Sequence, residues 1–160
     1  MDKAAIFISY SNWDVAFVKD QGRGKPFFTR ALERVRRGNC TLFISGFETD
    51  EWKPEVEEAL NRTHIFIPLI SDDFLASKSC AHEVEIVRGR KERGEAVAIV
   101  PFLYRYCLYD DVEWLAKAPV HRGPGEFYSA EFTEHDREHF IIHFRNKIEA
   151  VLDRLEADCT

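Results

Sequence analysis

An apolar run, Ile65 to Ile70, is the feature that most constrains the fold of this chain. Its length suits a strand buried on both faces, as in a parallel sheet covered by helices. The polar triplet 71–73 that follows favours a turn, and the triplet 77–79 can cap a helix. Glu83 then falls in the first or second turn of that helix, beyond the carboxyl end of the strand. In open α/β sheets, ligands bind at this edge.

The rest of the chain repeats the alternation of strands and helices. Apolar runs predict strands over 4–10, 40–45 and 96–104. Helical periodicity and end signals predict helices over 27–37, 54–62, 79–93, 110–117 and 134–155, and Ser11 with Asp14 forms a capping box for a further short helix. Pro101 must sit at an edge position or near the end of its strand, because proline cannot donate a ladder hydrogen bond.

This alternation predicts an α/β fold, a flavodoxin-like three-layer sandwich with a five-stranded parallel sheet in the order 2-1-3-4-5. The chain, residues 1–160, is expected to form a single domain. The crevice between strands 1 and 3 is the expected ligand site. Its rim comprises Ser9, Tyr10 and Ser11 on one side and residues 71–73 on the other, with Glu83 above it.

Composition narrows the class of partner. The chain is 45% hydrophobic and 31% charged, as in soluble globular proteins, and its net charge of −6 argues against nucleic acid. We expect no membrane span and no signal peptide. The cysteines, Cys40, Cys80, Cys107 and Cys159, show no paired spacing, which favours reduced thiols in a cytoplasmic protein.

Several motifs, taken in order, resemble those of TIR (Toll/interleukin-1 receptor) domains. Ile6-Phe-Ile-Ser-Tyr-Ser11 with Asp14 is similar to the first signature of that family. The stretch 52–60, the strand 65–71 and the segments 73–77 and 80–83 are similar to its bacterial branch. The resemblance covers about residues 4–155.

The resemblance implies an NAD+ glycohydrolase that releases nicotinamide and leaves ADP-ribose or a cyclic ADP-ribose product. It implies that Glu83 is the catalytic carboxylate, with NAD+ as substrate and no further cofactor. It also implies that the loop at 45–53 covers the pocket and takes part in head-to-tail assembly into a homo-oligomer or filament. The resemblance further implies a role in anti-phage defence, coupled to a fused or separate sensor of a nucleotide signal, as is often found in bacterial relatives.

The aromatic wall of the nucleotide pocket departs from the family pattern. Enzymatic members often carry a tryptophan four residues before the glutamate, where this chain has Ser79. Phe47 or Trp52 is expected to supply an aromatic wall instead, or to anchor the assembly contact. The predicted nucleotide contacts are Ser9, Tyr10, Ser11, Phe47, Trp52, Ser79 and Cys80.

The chemistry of Glu83 can also be argued from the residue itself. Cleavage of the bond to nicotinamide creates oxocarbenium-like charge on the ribose, which one ionised carboxylate can stabilise or trap covalently. Nicotinamide is a good neutral leaving group, so no second acid is required. Glu83 is expected to stay ionised, because the positive end of a helix dipole favours an anion.

Other interpretations of the sequence compete with this one. His135, His139 and His143 recur every four residues, but a partly exposed helix face is favoured over a metal site. A Cys80 nucleophile and a cation site at Asp72 and Asp73 lack the partners that such sites need. Two alternative functions stay open, a non-catalytic TIR–TIR interaction module and a nucleoside deoxyribosyltransferase-like enzyme.

Overall fold

The computed structural model describes residues 3–45, 53–118, 128 and 132–159. Its strands are β1 Ala4–Ser9, β2 Cys40–Ile44, β3 Ile65–Ile70, β4 Ala98–Ile99 and β5 Phe102–Leu103. They pair in parallel in the order β2-β1-β3-β4, and β5 also pairs with β3. The flavodoxin-like α/β fold predicted from the sequence is confirmed.

The stretch predicted as a fourth strand, 96–104, divides at Val100 and Pro101 into β4 and β5. Both halves pair with β3, so β5 continues β4 along the same neighbour instead of adding an outer strand. Because Pro101 has no backbone N–H, it interrupts the ladder at the edge of the described sheet.

The helices are α1 Phe27–Leu32, α2 Pro54–Arg62, α3 Asp72–Ala76, α4 Lys78–Glu92, α5 Glu113–Ala116 and α6 Glu134–Asp158, with 3-10 helices at Asn12–Phe17, Val35–Gly38 and Tyr109–Asp111. Strand residues alternate between two apolar cores. On one face, Ile6 and Phe102 pack with Phe144 of α6. On the other, Phe7 and Phe66 pack with Val84 of α4. In the described residues, no helix is long and apolar enough to cross a membrane.

Two helices differ from prediction at their ends. The helix predicted over 27–37 stops at Leu32, and Arg36 and Arg37 adopt left-handed backbone conformations, each with φ of 55°. The turn predicted at 71–73 instead begins α3, because the Ser71 hydroxyl accepts a hydrogen bond from the Phe74 amide at 3.1 Å. A serine can form this hydrogen bond in a turn or at the start of a helix, so the sequence alone does not distinguish the two.

Candidate functional site: a buried carboxylate at the carboxyl edge of the sheet

Glu83 occupies the second turn of α4. The helix starts one residue before the predicted 79, since the Ser77 hydroxyl accepts a hydrogen bond from the Cys80 amide at 3.2 Å. This start directs Glu83 toward the carboxyl ends of the strands, where its carboxylate meets two serines. Ser9 Oγ donates to Oε1 and Ser45 Oγ donates to Oε2, each at 2.9 Å.

The position of Glu83 corrects one prediction. The sequence places the carboxylate over the crevice between strands 1 and 3, but its partners lie at the ends of β1 and β2. Ser45 is absent from the predicted contacts. Ser45 could have been found in the sequence as a polar residue at the end of a strand that neighbours β1. Ser9 is predicted in the same way, as a polar residue at the end of β1.

The ionisation of Glu83 corrects a second prediction. The side chain is buried, with 0% of its surface exposed, and loss of hydration raises its pKa to about 7. The two serine hydrogen bonds favour the anion but do not offset burial. The predicted help from the helix dipole is small, because Glu83 lies beyond the first turn, where that effect is strongest. Near neutral pH the carboxyl group is therefore divided between its two protonation states.

Two predicted contacts, Tyr10 and Cys80, are buried beside Glu83. Burial raises the pKa of the Cys80 thiol to about 12, so it stays protonated at neutral pH and is a poor nucleophile. Burial and the nearby Glu83 also raise the pKa of Tyr10, whose hydroxyl has no hydrogen-bond partner in the described part of the chain.

A second polar cluster brings together residues from the segments that follow β1, β3 and β5. The Asp14 carboxylate is buried, accepts a hydrogen bond from Ser71 Oγ at 2.8 Å and lies 3.5 Å from Arg105 Nε. The capping box predicted for Ser11 and Asp14 is thus half right. Ser11 caps the 3-10 helix through the Trp13 amide at 3.3 Å, but Asp14 turns inward to a partner that is distant in sequence.

An open cavity of about 580 Å³ lies between the segment that follows β1 and the start of α4. Its lining residues come from the segment after β1, from α3, from Ser77 and from the first turn of α4: Ser11, Asn12, Trp13, Asp73, Ala76, Ser77, Lys78 and Ser79. Of the predicted contacts, Ser11 and Ser79 belong to this cavity, whereas Ser9, Tyr10 and Cys80 are buried around Glu83. The predicted contacts Phe47 and Trp52 lie outside the described residues.

Trp13 is the aromatic residue at this site that the sequence pattern does not predict. Its side chain is 82% exposed and lines the cavity. The sequence signal is its position directly after strand 1, but a tryptophan near a predicted helix start is more readily assigned to the core. An exposed tryptophan beside a polar cavity can stack on a planar ring.

The other residues that the sequence suggested as ligands form no metal site in the part of the chain that the structure describes. His135, His139 and His143 line an exposed face of α6, with ring centroids 4.1 Å and 6.2 Å apart along the row. Within the described ranges, no group of three or more histidine, cysteine, aspartate or glutamate residues could hold a metal ion. The cysteines in these ranges are free thiols.

The fold and site define a doubly wound α/β protein with a buried carboxylate at the carboxyl edge of its sheet. The TIR domain family matches residues 6–140, well over half of the chain, and the chain belongs to this family. No curated protein sequence matches significantly.

Among solved structures, a TIR assembly shares the fold. The chain is similar to the TIR domains of the activated Roq1 resistosome, which directly recognises the pathogen effector XopQ, with a TM-score of 0.51 and 13% identity over 94% of this chain and 84% of that one. It also aligns with an NADPH-quinone reductase from P. pentosaceus, with a TM-score of 0.48 and 9% identity over 91% of this chain and 96% of that one.

Proposed function

We propose that the protein is an NAD+ glycohydrolase in which Glu83 acts on the ribose carbon that carries nicotinamide. The observation that carries this proposal is the pair of serine hydroxyls that fix both oxygens of a buried carboxylate at the carboxyl edge of the sheet. A carboxylate held in this way presents a defined charge where oxocarbenium character develops.

The reaction requires few protein groups. The bond between the ribose carbon and the pyridinium nitrogen breaks, its electron pair stays with nitrogen, and nicotinamide leaves as a neutral molecule. Glu83 stabilises the cationic sugar or bonds to it covalently, and water then yields ADP-ribose and a proton. An internal nucleophile of the substrate in place of water would yield a cyclic product.

The open cavity next to the start of α4 supplies groups suited to a dinucleotide. Trp13 offers an aromatic face, and Lys78 places an ammonium group at the start of α4, where the helix dipole also favours phosphate. We include Ser9, Tyr10, Ser11, Ser79 and Cys80 in the proposed nucleotide site, and Phe47 and Trp52 stay predictions. By family resemblance, the setting is anti-phage defence, with activity controlled by self-association and a nucleotide-signal sensor.

The first test of the mechanism is the pH dependence of NAD+ cleavage. Because the pKa of Glu83 is about 7 and the anion is the active form, kcat/KM should fall about tenfold per pH unit below that value. Ser45→Ala removes a hydrogen bond that favours the anion and should move this acid limb to higher pH. Ser79→Ala, whose hydroxyl does not bond Glu83, is the control and should leave the limb in place.

Trp13 provides a test of substrate binding. Trp13→Ala is expected to lower kcat/KM for NAD+ about tenfold, a typical loss for one stacking contact. Trp13→Phe should recover most of it because a planar ring remains. The side chain is 82% exposed, so neither change should shift the thermal unfolding midpoint appreciably. Unchanged kinetics in a folded Trp13→Ala protein would remove the residue from the site.

A non-catalytic interaction module is the second candidate function. The observation that favours it is the burial of Glu83, since a substrate reaches the carboxylate only after the site opens. A direct assay of NAD+ consumption and nicotinamide release by purified protein separates the two. No release at any protein concentration, including with the chain fused to an oligomerising partner, would favour the module.

A further inference from the structure

Two adjoining cavities lie beside α1 and α6, away from Glu83. The first, of about 350 Å³, is lined by Arg34, Arg36, Arg37, Arg145 and Glu149. The second, of about 340 Å³, is partly apolar and is lined by Phe27, Arg30, Ala31, Arg34, Ile142 and Arg145. Arg34 and Arg145 belong to both linings, so one ligand can occupy the two cavities together. Such a concentration of arginine contrasts with the net charge of −6 on the chain.

Among the described residues, the acidic residues of α6 form ion pairs with one of these arginines, Arg36, and the carboxylate of Glu149 also lines the first cavity. Arg36 places Nη1 3.0 Å from Asp153 Oδ1 and Nη2 3.3 Å from Glu156 Oε1. Among the described residues, no carboxylate forms an ion pair with Arg34, Arg37 or Arg145. Arg145 Nη2 donates to Asn146 Oδ1 at 2.9 Å, but its buried Nε has no hydrogen-bond partner in that part of the chain. A buried donor without a partner costs free energy, and it belongs to a guanidinium whose charge no described carboxylate compensates through an ion pair.

The backbone of the arginine segment is strained. Arg36 and Arg37 both have φ of 55°, and Gly38 has φ of 90°, so three successive residues lie in the left-handed region. Non-glycine residues in this region cost free energy and persist where their surroundings hold them, often at ligand sites. Here the Glu149 carboxylate accepts a hydrogen bond from the Arg36 amide at 2.5 Å. This contact helps to hold Arg37 beside the cavity.

We propose that the two cavities bind a nucleoside polyphosphate. Arginine suits phosphate, because its planar guanidinium group can donate two parallel hydrogen bonds to phosphate oxygens. The phosphates occupy the arginine-lined cavity near Arg37 and Arg145. The nucleoside occupies the partly apolar cavity, against Phe27 and Ile142, where the Arg30 guanidinium lies 5.7 Å from the centre of the Phe27 ring.

This site is separate from the candidate active site. Arg36 and Arg37 precede β2, whereas Ser45, which binds Glu83, follows it. The two sites therefore lie at opposite edges of the parallel sheet, and the proposal does not depend on NAD+ cleavage. A nucleotide bound here would act as an effector or a structural ligand.

Calorimetric titration with ATP, inorganic triphosphate and adenosine tests the proposal. ATP should bind more tightly than either fragment, because only ATP occupies both cavities. Arg34→Gln and Arg145→Gln should each weaken ATP binding about tenfold. Arg62→Gln is the matched control: this exposed arginine of α2 pairs with Glu58 and lines neither cavity, so ATP affinity should not change.

Two further variants locate the ligand. Phe27→Leu keeps an apolar side chain but removes the aromatic face, and should weaken ATP binding while sparing triphosphate. Trp13→Ala, in the other cavity, removes any stacking of ATP at the candidate active site and should leave the arginine-dependent ATP binding unchanged. Equal ATP affinity in wild type and both arginine variants would overturn the proposal, as would loss of ATP binding in Trp13→Ala. A protein that does not bind ATP, and whose self-association is lost in the arginine variants, would also overturn it and would assign the patch to a second copy of the chain.

Discussion

Replacing Glu83 by glutamine is expected to lower the turnover of NAD+ about a thousandfold, which corresponds to ~4 kcal/mol of transition-state stabilisation. Glutamine has nearly the same shape and can still exchange hydrogen bonds with Ser9 and Ser45, but it carries no charge to oppose a cationic ribose. The measurement is release of nicotinamide under saturating NAD+. Retained turnover in the folded variant would contradict the proposed mechanism.

The control for this experiment lies in the stability of the same variant. Folding raises the pKa of Glu83 from 4.5 to about 7, so the folded protein binds this proton more tightly than the unfolded chain does. The stabilisation from this difference is present below pH 4.5 and is lost as pH rises through about 7. Between pH 4.5 and pH 8 the free energy of unfolding therefore falls by ~3 kcal/mol from this one group. Glu83→Gln should lack this loss.

Comparison with wild type therefore separates chemistry from folding. Urea unfolding at several pH values should show that Glu83→Gln is at least as stable as wild type above neutral pH, while its activity is lost. Glu85→Gln is a suitable second control, because Glu85 lies two residues away on α4 and is exposed, paired with Arg88. That variant should keep normal activity and a normal dependence of stability on pH.

Features that depend on local pattern were predictable from the sequence. The run Ile65–Ile70 is β3, and α2 spans the predicted residues Pro54–Arg62. The hydroxyl of Ser77 determines where α4 starts, and this start determines how far above the sheet Glu83 lies. Each of these features is set by residues that are close in sequence, by burial or by a helix cap.

Features that depend on contacts between distant segments were not predictable. Asp14 fits a capping box, but Ser71, far along the chain, competes for its carboxylate. The pKa of Glu83 depends on how completely the fold removes water from it, which the helix position alone does not determine. The left-handed Arg36 and Arg37 depend on Glu149 of α6 in the same way.

Self-association is expected to control activity, because the Glu83 side chain is fully buried and has no contact with solvent. NAD+ can react only in a state that exposes the carboxylate, and the apparent activity of a single chain scales with the population of that state. If the open state holds about 1% of isolated chains, assembly that selects it can raise turnover up to about a hundredfold. Head-to-tail contacts of the kind implied by the family resemblance would build open filaments, since such contacts need not close.

The decisive measurement is NAD+ turnover per molecule across a wide dilution series, with particle mass determined at each concentration. Turnover per molecule should rise steeply where the mass begins to exceed that of one chain, and fusion to an oligomerising partner should raise it at concentrations where the free chain is monomeric. The same fusion carrying Glu83→Gln should stay inactive, which ties the gain to this carboxylate. Full turnover in a proven monomer would mean that the buried site opens without a second copy, and assembly would then have no part in exposing Glu83.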